Sequence, residues 1–332
     1  MNITYSILPV LFYIAVLIYL DSFKLINKNR LVYVFLAGII SALVSYILNN
    51  FILDITGMTN AEISIYAAPF VEEIIKFSVL LFIIHKGYSG FIIDTAIYGF
   101  IIGSGFAFAE NIYYYINIGE GSVMENIIRG FGTSLMHGST VSLAGGIFIF
   151  LRDVKNLKFI HNVLISILPA LIIHILYNLF LLPPVFQTTA VIISYSISIS
   201  MIFTASENSI HKWINSELDT EMELINLLEK GQLTSTHAGK YIQEIKGRFS
   251  NFVVFDMICL IRLHTELSMQ LKINMMLKIN NLKVPEDPEL QPKLTEYRQL
   301  ISAIGKTAYT AIKPIMLTSS KDIWKMNQYR ND

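Results

Sequence analysis

The sequence predicts an all-α protein: a polytopic membrane helical bundle of about seven spans over residues 1–205, followed by a soluble helical domain over 206–332. Three observations predict it. Hydrophobic residues make up 53% of the chain and charged residues only 15%, and the mean hydropathy is +0.53. That is too apolar for an ordinary soluble domain. Apolar runs near the roughly 20 residues needed to cross a bilayer core of about 30 Å recur as far as residue 205. Beyond Ser206 they stop, and the chain carries 16 Lys+Arg and 15 Asp+Glu.

The spans run, in order, over 4–20, 31–53, 62–84, 91–118, 126–151, 159–182 and 185–205. The first reads as a span and not as a signal peptide, because no basic stretch precedes it and no small-residue cleavage site follows. In the polar region, helical periodicity in "ELDTEMELINLLEKGQL" and in "AGKYIQEIKGRFSNFVVFDMICLIRLHTELSMQLKI" predicts helices. The run "FVVFDMICLI" is too short to span and is interrupted by Asp256, and the breaker cluster "VPEDPELQP" splits off the last helix. Basic residues fall in alternate loops: Lys24, Lys28 and Arg30, then Lys86, then Arg152, Lys155 and Lys158. Such a bias marks the cytoplasmic side. It implies a multi-pass cell-membrane protein with its N-terminus outside and its C-terminal domain in the cytoplasm. A net charge of zero and the single Cys259 argue against nucleic-acid binding, a disulfide framework and a cysteine metal site.

Polar residues inside the spans carry the chemistry. Counted from the outer helix ends at 1.5 Å per residue, Glu72, Glu73, Glu110, His137 and His174 lie in one layer roughly 12 to 17 Å deep. Each charge at a helix centre costs about 2.5 to 3.5 kcal/mol on insertion scales, so a shared pocket is expected in which charges neutralise one another. Gly99, Gly103 and Glu110 share a face of small residues that lets a neighbouring helix approach, and Gly130, Thr133, His137 and Ala144 share another. His174 and Asn178 stack at i and i+4, which would let the amide orient the imidazole or hold a substrate carbonyl. Pro69 has no N–H for the carbonyl of Ile65, so a kink is expected beside the acids. Glu72 pairs with Lys76 while Glu73 faces another helix, or the reverse.

The set "EEIIK" (Glu72, Glu73, Lys76), "FAFAEN" ending in Glu110 and Asn111, His137 on the next span and "HILYN" (His174 to Asn178) resembles the PrsW family of intramembrane proteases. More distantly it is similar to the CAAX-processing and bacteriocin-processing membrane proteases. The resemblance covers about residues 60 to 180 and does not extend to the polar tail. It implies a membrane-embedded peptidase that hydrolyses membrane-anchored protein substrates within the lipid bilayer, in regulated proteolysis. Glu72, Glu73, Glu110, His137 and His174 are then the catalytic candidates, with Lys76, Asn111, Arg129 and Asn178 in support.

Peptide hydrolysis needs a base to activate water, a group to stabilise the oxyanion and an acid for the leaving amine. The glutamates can supply the base and the histidines can polarise the carbonyl. Two histidines and a carboxylate also make an open zinc site, for which Glu110, His137 and His174 have the right elements; the residues leave both versions open. An ion- or proton-coupled transporter, with Glu72 and Lys76 as a core ion pair, and a non-catalytic membrane sensor signalling through its cytoplasmic domain also stay open. A cytoplasmic partner, or self-association through 206–332, is the expectation for the tail.

Overall fold

The computed structural model describes residues 3–20, 28–118, 123–155, 157–232, 237–280, 282–285 and 287–316, and among them there is no strand. The chain divides into two compact units, Met1–Glu207 and Asn208–Asp332. The first contains α1 (Ile3–Leu20), α2 (Lys28–Thr56), the short α3 (Asn60–Glu62), α4 (Ala68–His85), α5 (Ile92–Ile118), α6 (Val123–Phe150), α7 (Phe159–Asn178) and the start of α8 (Pro184–Glu229). Five described helices are long and apolar enough to cross a membrane: α2, α5, α6, α7 and the apolar part of α8. On α4, the three charges Glu72, Glu73 and Lys76 within 18 residues break the apolar run.

Helix α5 is the centre of this unit, packed most extensively on α6 and then on α2. Every side chain from Ser89 to Ala107 is buried. Its start is fixed by Asp94, whose carboxylate accepts the N–H groups of Gly90, Phe91 and Thr95 at 3.0, 2.9 and 2.8 Å, and by Ser206, whose hydroxyl accepts the N–H of Ile93 at 3.2 Å. Orphan donors at a helix start are satisfied this way when water is absent. By contrast, Tyr33, Ile40, Ile47 and Phe51 on α2 and Phe159, Leu164, Leu168 and Ile172 on α7 are exposed. An apolar surface of that extent suits lipid and not water.

Glycines set the spacing. A Cβ on Gly99 would lie 2.7 Å from the carbonyl oxygen of Val141, and one on Gly103 would collide with the carbonyl of His137. Close backbone approach through small residues is how membrane helices gain packing contacts. Here it draws α6 onto α5 at the turn that carries His137. The end of α4 is a Schellman turn: Gly87 at φ +68° donates to Ile84 and Tyr88 to Ile83, a left-handed position that glycine takes without a Cβ penalty.

The second unit comprises the rest of α8 with α9 (His237–Ile245), α10 (Asn251–Ile279) and α11 (Leu290–Ile312). Leu224, Met257, Leu260, Leu271, Leu294 and Ile312 are among its core residues. The long periodic stretch expected as helix is broken between α9 and α10. After a 3₁₀ turn over Lys246–Arg248, Phe249 is extended at φ −133°, and Ser250 caps α10 by accepting from the N–H of Val253. The physical reason is local, since a glycine followed by a capping serine offers a stop and a start within four residues. The "VPEDPELQP" cluster separates α10 from α11 as expected. Inside the unit, Lys272 and Glu221 form a buried ion pair at 2.6 Å, with the Ser268 hydroxyl on the same carboxylate oxygen at 2.7 Å. Partial burial, with Asp256 and Glu296 nearby, pushes the Cys259 thiol up, which suits a packing residue and not a nucleophile.

The glycine contact gives a direct test. Gly103→Val should destabilise the fold by about 1–3 kcal/mol through overpacking, read as a lower denaturation midpoint in detergent. Gly231→Ala should change far less than a buried overpacking, because nothing lies within 4 Å of its Cβ position, and its cost is confined to the backbone at φ +66°.

Candidate active site

The site is assembled from α2, α4, α5, α6 and α7. Entry to α4 is set by a capping box, in which the Thr59 hydroxyl accepts the N–H of Glu62 and the Glu62 carboxylate accepts the N–H of Thr59. A π turn over Ile63–Ala67 follows, and Pro69 opens the first turn of α4. The expected kink is therefore a widened turn: Ala68 donates to Ile63 five residues back, and proline sits where a missing N–H costs least.

Glu73 is the centre of the buried half. Its Oε1 accepts from Lys76 Nζ at 2.6 Å, from His174 Nδ1 at 2.8 Å and from the Thr140 hydroxyl at 3.2 Å. Of the two pairings the sequence allows, the structure has Glu73 with Lys76. Lys76 is fully buried; its Nζ also lies 2.8 Å from His137 Nδ1 and 4.6 Å from the centre of the Phe106 ring. An ammonium group only donates, so His137 Nδ1 accepts and the ring proton sits on Nε2. That nitrogen faces Glu110 Oε2 at 2.7 Å. The two imidazoles meet edge to face, with centroids 4.9 Å apart.

The accessible half holds the other two carboxylates. Glu72 is 15% exposed and Glu110 27%, against 1–2% for Glu73, His137 and His174. Glu72 Oε2 lies 3.7 Å from His174 Nε2, and its Oε1 accepts from Asn49 Nδ2 at 3.3 Å. The histidines therefore stand between a buried Glu73–Lys76 pair and two partly exposed carboxylates.

All of Glu72, Glu73, Lys76, Glu110, His137 and His174 are brought together, as their common depth implied. The supporting residues fare differently. Asn178 does not orient His174; its Nδ2 donates to the Ser64 carbonyl at 2.8 Å, because the π turn presents a backbone acceptor within reach. Asn111 is buried one residue beyond Glu110, with Nδ2 3.4 Å from the Ser134 hydroxyl and no partner on Oδ1. The side chain of Arg129 lies outside the described residues. Two contributors were not foreseen. Asn49 is one of two adjacent amides, with Asn50, near the outer end of the second span, and Thr140 lies one turn after His137, so position was the only available signal for either.

The fit of a metal can be judged from the donors. Glu72, His137 and His174 each offer a ligand atom, all within 4.8 Å of one another. Ligand atoms around tetrahedral zinc lie about 3.4 Å apart, so shifts of about 1 Å would close the set. Glu73 already holds the second nitrogen of His174, as carboxylates do behind metal-bound imidazoles. The donor types fit a divalent metal such as zinc; because Lys76 and Glu110 engage both nitrogens of His137, binding there would displace the Nε2 proton and its bond to Glu110. The carboxylate grouped with the histidines is Glu72, where the ligand types in the sequence had suggested Glu110; Glu110 instead hydrogen-bonds His137.

A multi-pass helical bundle with a largely buried glutamate–histidine cluster, partly exposed at Glu72 and Glu110, is the arrangement expected of a membrane-embedded hydrolytic centre. Residues 27–205, more than half of the chain, match the PrsW family intramembrane metalloprotease model, and the chain belongs to that family of membrane peptidases. Every site residue lies inside the matched segment. Comparison with curated proteins and with solved structures gives no match.

The buried pair predicts a paired mutational response. Lys76→Met alone should destabilise by about 3–5 kcal/mol, because it strands the Glu73 charge. Glu73→Gln combined with Lys76→Met should recover most of that loss, read as the denaturation midpoint in detergent.

Proposed function

We propose that this protein cleaves membrane-anchored protein substrates in regulated proteolysis, using water activated by a glutamate beside a metal held by Glu72, His137 and His174. The observation that supports the reading best is the approach of these three donors on an otherwise sealed cluster, with Glu110 beside them and accessible. When bound, the ion would act as a Lewis acid on water and on the scissile carbonyl. Glu110 takes a proton from the attacking water at a carboxylate oxygen and returns it to the leaving nitrogen. Glu73 holds the Nδ1 proton of His174 and fixes the ring, while Lys76 balances the Glu73 charge. Asn49 steadies Glu72 through its amide.

The basic residues of alternate loops support an N-terminus outside and the 206–332 region in the cytoplasm, with seven spans and the site in the outer half of the bilayer. The tail would then meet a cytoplasmic partner or a second copy without taking part in the chemistry.

Metal content by mass spectrometry on detergent-purified protein tests the reading. About one zinc per chain is expected in the wild type, lost in His137→Ala and His174→Ala while the fold survives. A preparation that cleaves a membrane peptide without any metal would overturn the metal-assisted form. Glu110→Gln should keep the metal and lower kcat by roughly 10²–10⁴-fold; loss of metal in that variant would make Glu110 a ligand and not the base.

A further inference from the structure

The turn between α7 and α8 is inside out for a turn in water. From Leu179 to Phe186 the chain reads "LFLLPPVF", and every one of these residues is exposed with no polar side chain among them. Phe180 and Leu181 are 69% and 68% exposed. The first polar residues that follow are turned inward. Gln187 and Thr188 are buried; Gln187 Nε2 donates to the Tyr177 carbonyl at 2.5 Å and the Thr188 hydroxyl to the Ile128 carbonyl at 3.4 Å. Phe180 stands at φ +48°, a left-handed position that turns ordinarily give to glycine or asparagine. A large exposed apolar ring is kept there instead.

We propose that this turn is an interfacial anchor: its apolar side chains sink into the bilayer at the headgroup and acyl boundary. They thereby hold His174 beneath that boundary, although α7 ends at Asn178, only about 6 Å beyond the histidine along the helix. The partner is the bilayer, and two observations select it over a protein. Both helices joined by the turn are long and apolar enough to cross a membrane, so the five residues between them cannot carry the turn far from it. The surface of the turn also continues the exposed apolar faces of Ile172 and Leu176 on α7 and of Ile193 and Ile197 on α8, faces that suit lipid. The backbone fits the boundary as well. Leu179, Phe180 and Gln187 donate their N–H groups to the carbonyls of Ile175, Tyr177 and Pro183, and Pro183 and Pro184 have none to donate. The other amides of the turn can meet glycerol and headgroup oxygens at this depth, acceptors that the hydrocarbon centre lacks. The inference needs only the membrane bundle and does not rest on proteolysis.

The full-length protein in phosphatidylcholine nanodiscs tests this. In a Cys259→Ser background, one spin label is placed in the turn with Leu182→Cys and a reference label on the exposed face of α7 with Leu168→Cys. Both labels should be more accessible to oxygen than to an aqueous nickel chelate, the turn label by the smaller margin. Phe180→Asn/Leu181→Asn keeps a residue that tolerates positive φ at the first position. It should shift the turn label toward the nickel chelate and leave the reference label where it was. A turn label that reads as water-exposed without those substitutions would overturn the proposal. So would one shielded from both reagents, which would mean that a second copy or another protein segment covers the turn. An inserted turn label that the double substitution does not move would overturn the anchoring role, because the spans alone would then set its depth.

Discussion

A carboxylate that cannot reach water governs the rest of this bundle. Glu73 is 1% exposed, and ionised groups taken out of water cost several kcal/mol each unless good geometry and further hydrogen bonds offset it. Its three donors come from α4, α6 and α7. None of those helices can slide or rotate by a residue without removing a donor. Lys76 extends the constraint to α5 through the Phe106 ring and to His137 on α6. The polar cluster therefore does for this bundle what an apolar core does in water, where non-directional burial would leave register free; lipid supplies no comparable hydrophobic drive between helices.

The same arrangement divides labour between neighbouring residues of one type. Glu72 and Glu73 are adjacent, so they point about 100° apart on α4. One is sealed and holds three donors; the other keeps a partly exposed edge and a single amide, Asn49, on one oxygen. Burying the first is what lets the second stay reactive, because the positive charge of Lys76 is consumed behind the histidines and not in front of them. The close approach at Gly103 serves that division by bringing the His137 turn of α6 against α5, where Glu110 can meet it.

Much of this was legible in the sequence because intramembrane charges are few and must meet. Common depth was enough to group Glu72, Glu73, Glu110, His137 and His174, and the glycine faces indicated which helices could touch. Pairing within the group was not legible. Lys76 stands at i+3 from one acid and i+4 from the other, and both spacings reach; the choice was made by His174 and Thr140, more than sixty residues away in sequence. Asn178 was placed on the correct face, yet its amide went to the Ser64 carbonyl, because a π turn is a backbone event that leaves only a proline as its trace. In the second unit, periodicity runs unbroken through "KGRFS" although the backbone turns there, since the same apolar spacing serves two helices packed on one core.

That π turn has a consequence for how the sequence around it can change. A turn closed five residues back carries one residue more than an α turn, and one residue is 100° of helical rotation. The helical segments before and after Ile63–Ala67 are thus offset in phase by about one residue. The turn sets a fixed angle between the cap at Thr59 and the acids of α4. Deleting one residue from the turn would remove that offset and rotate the cap at Thr59 by about 100° relative to the glutamates.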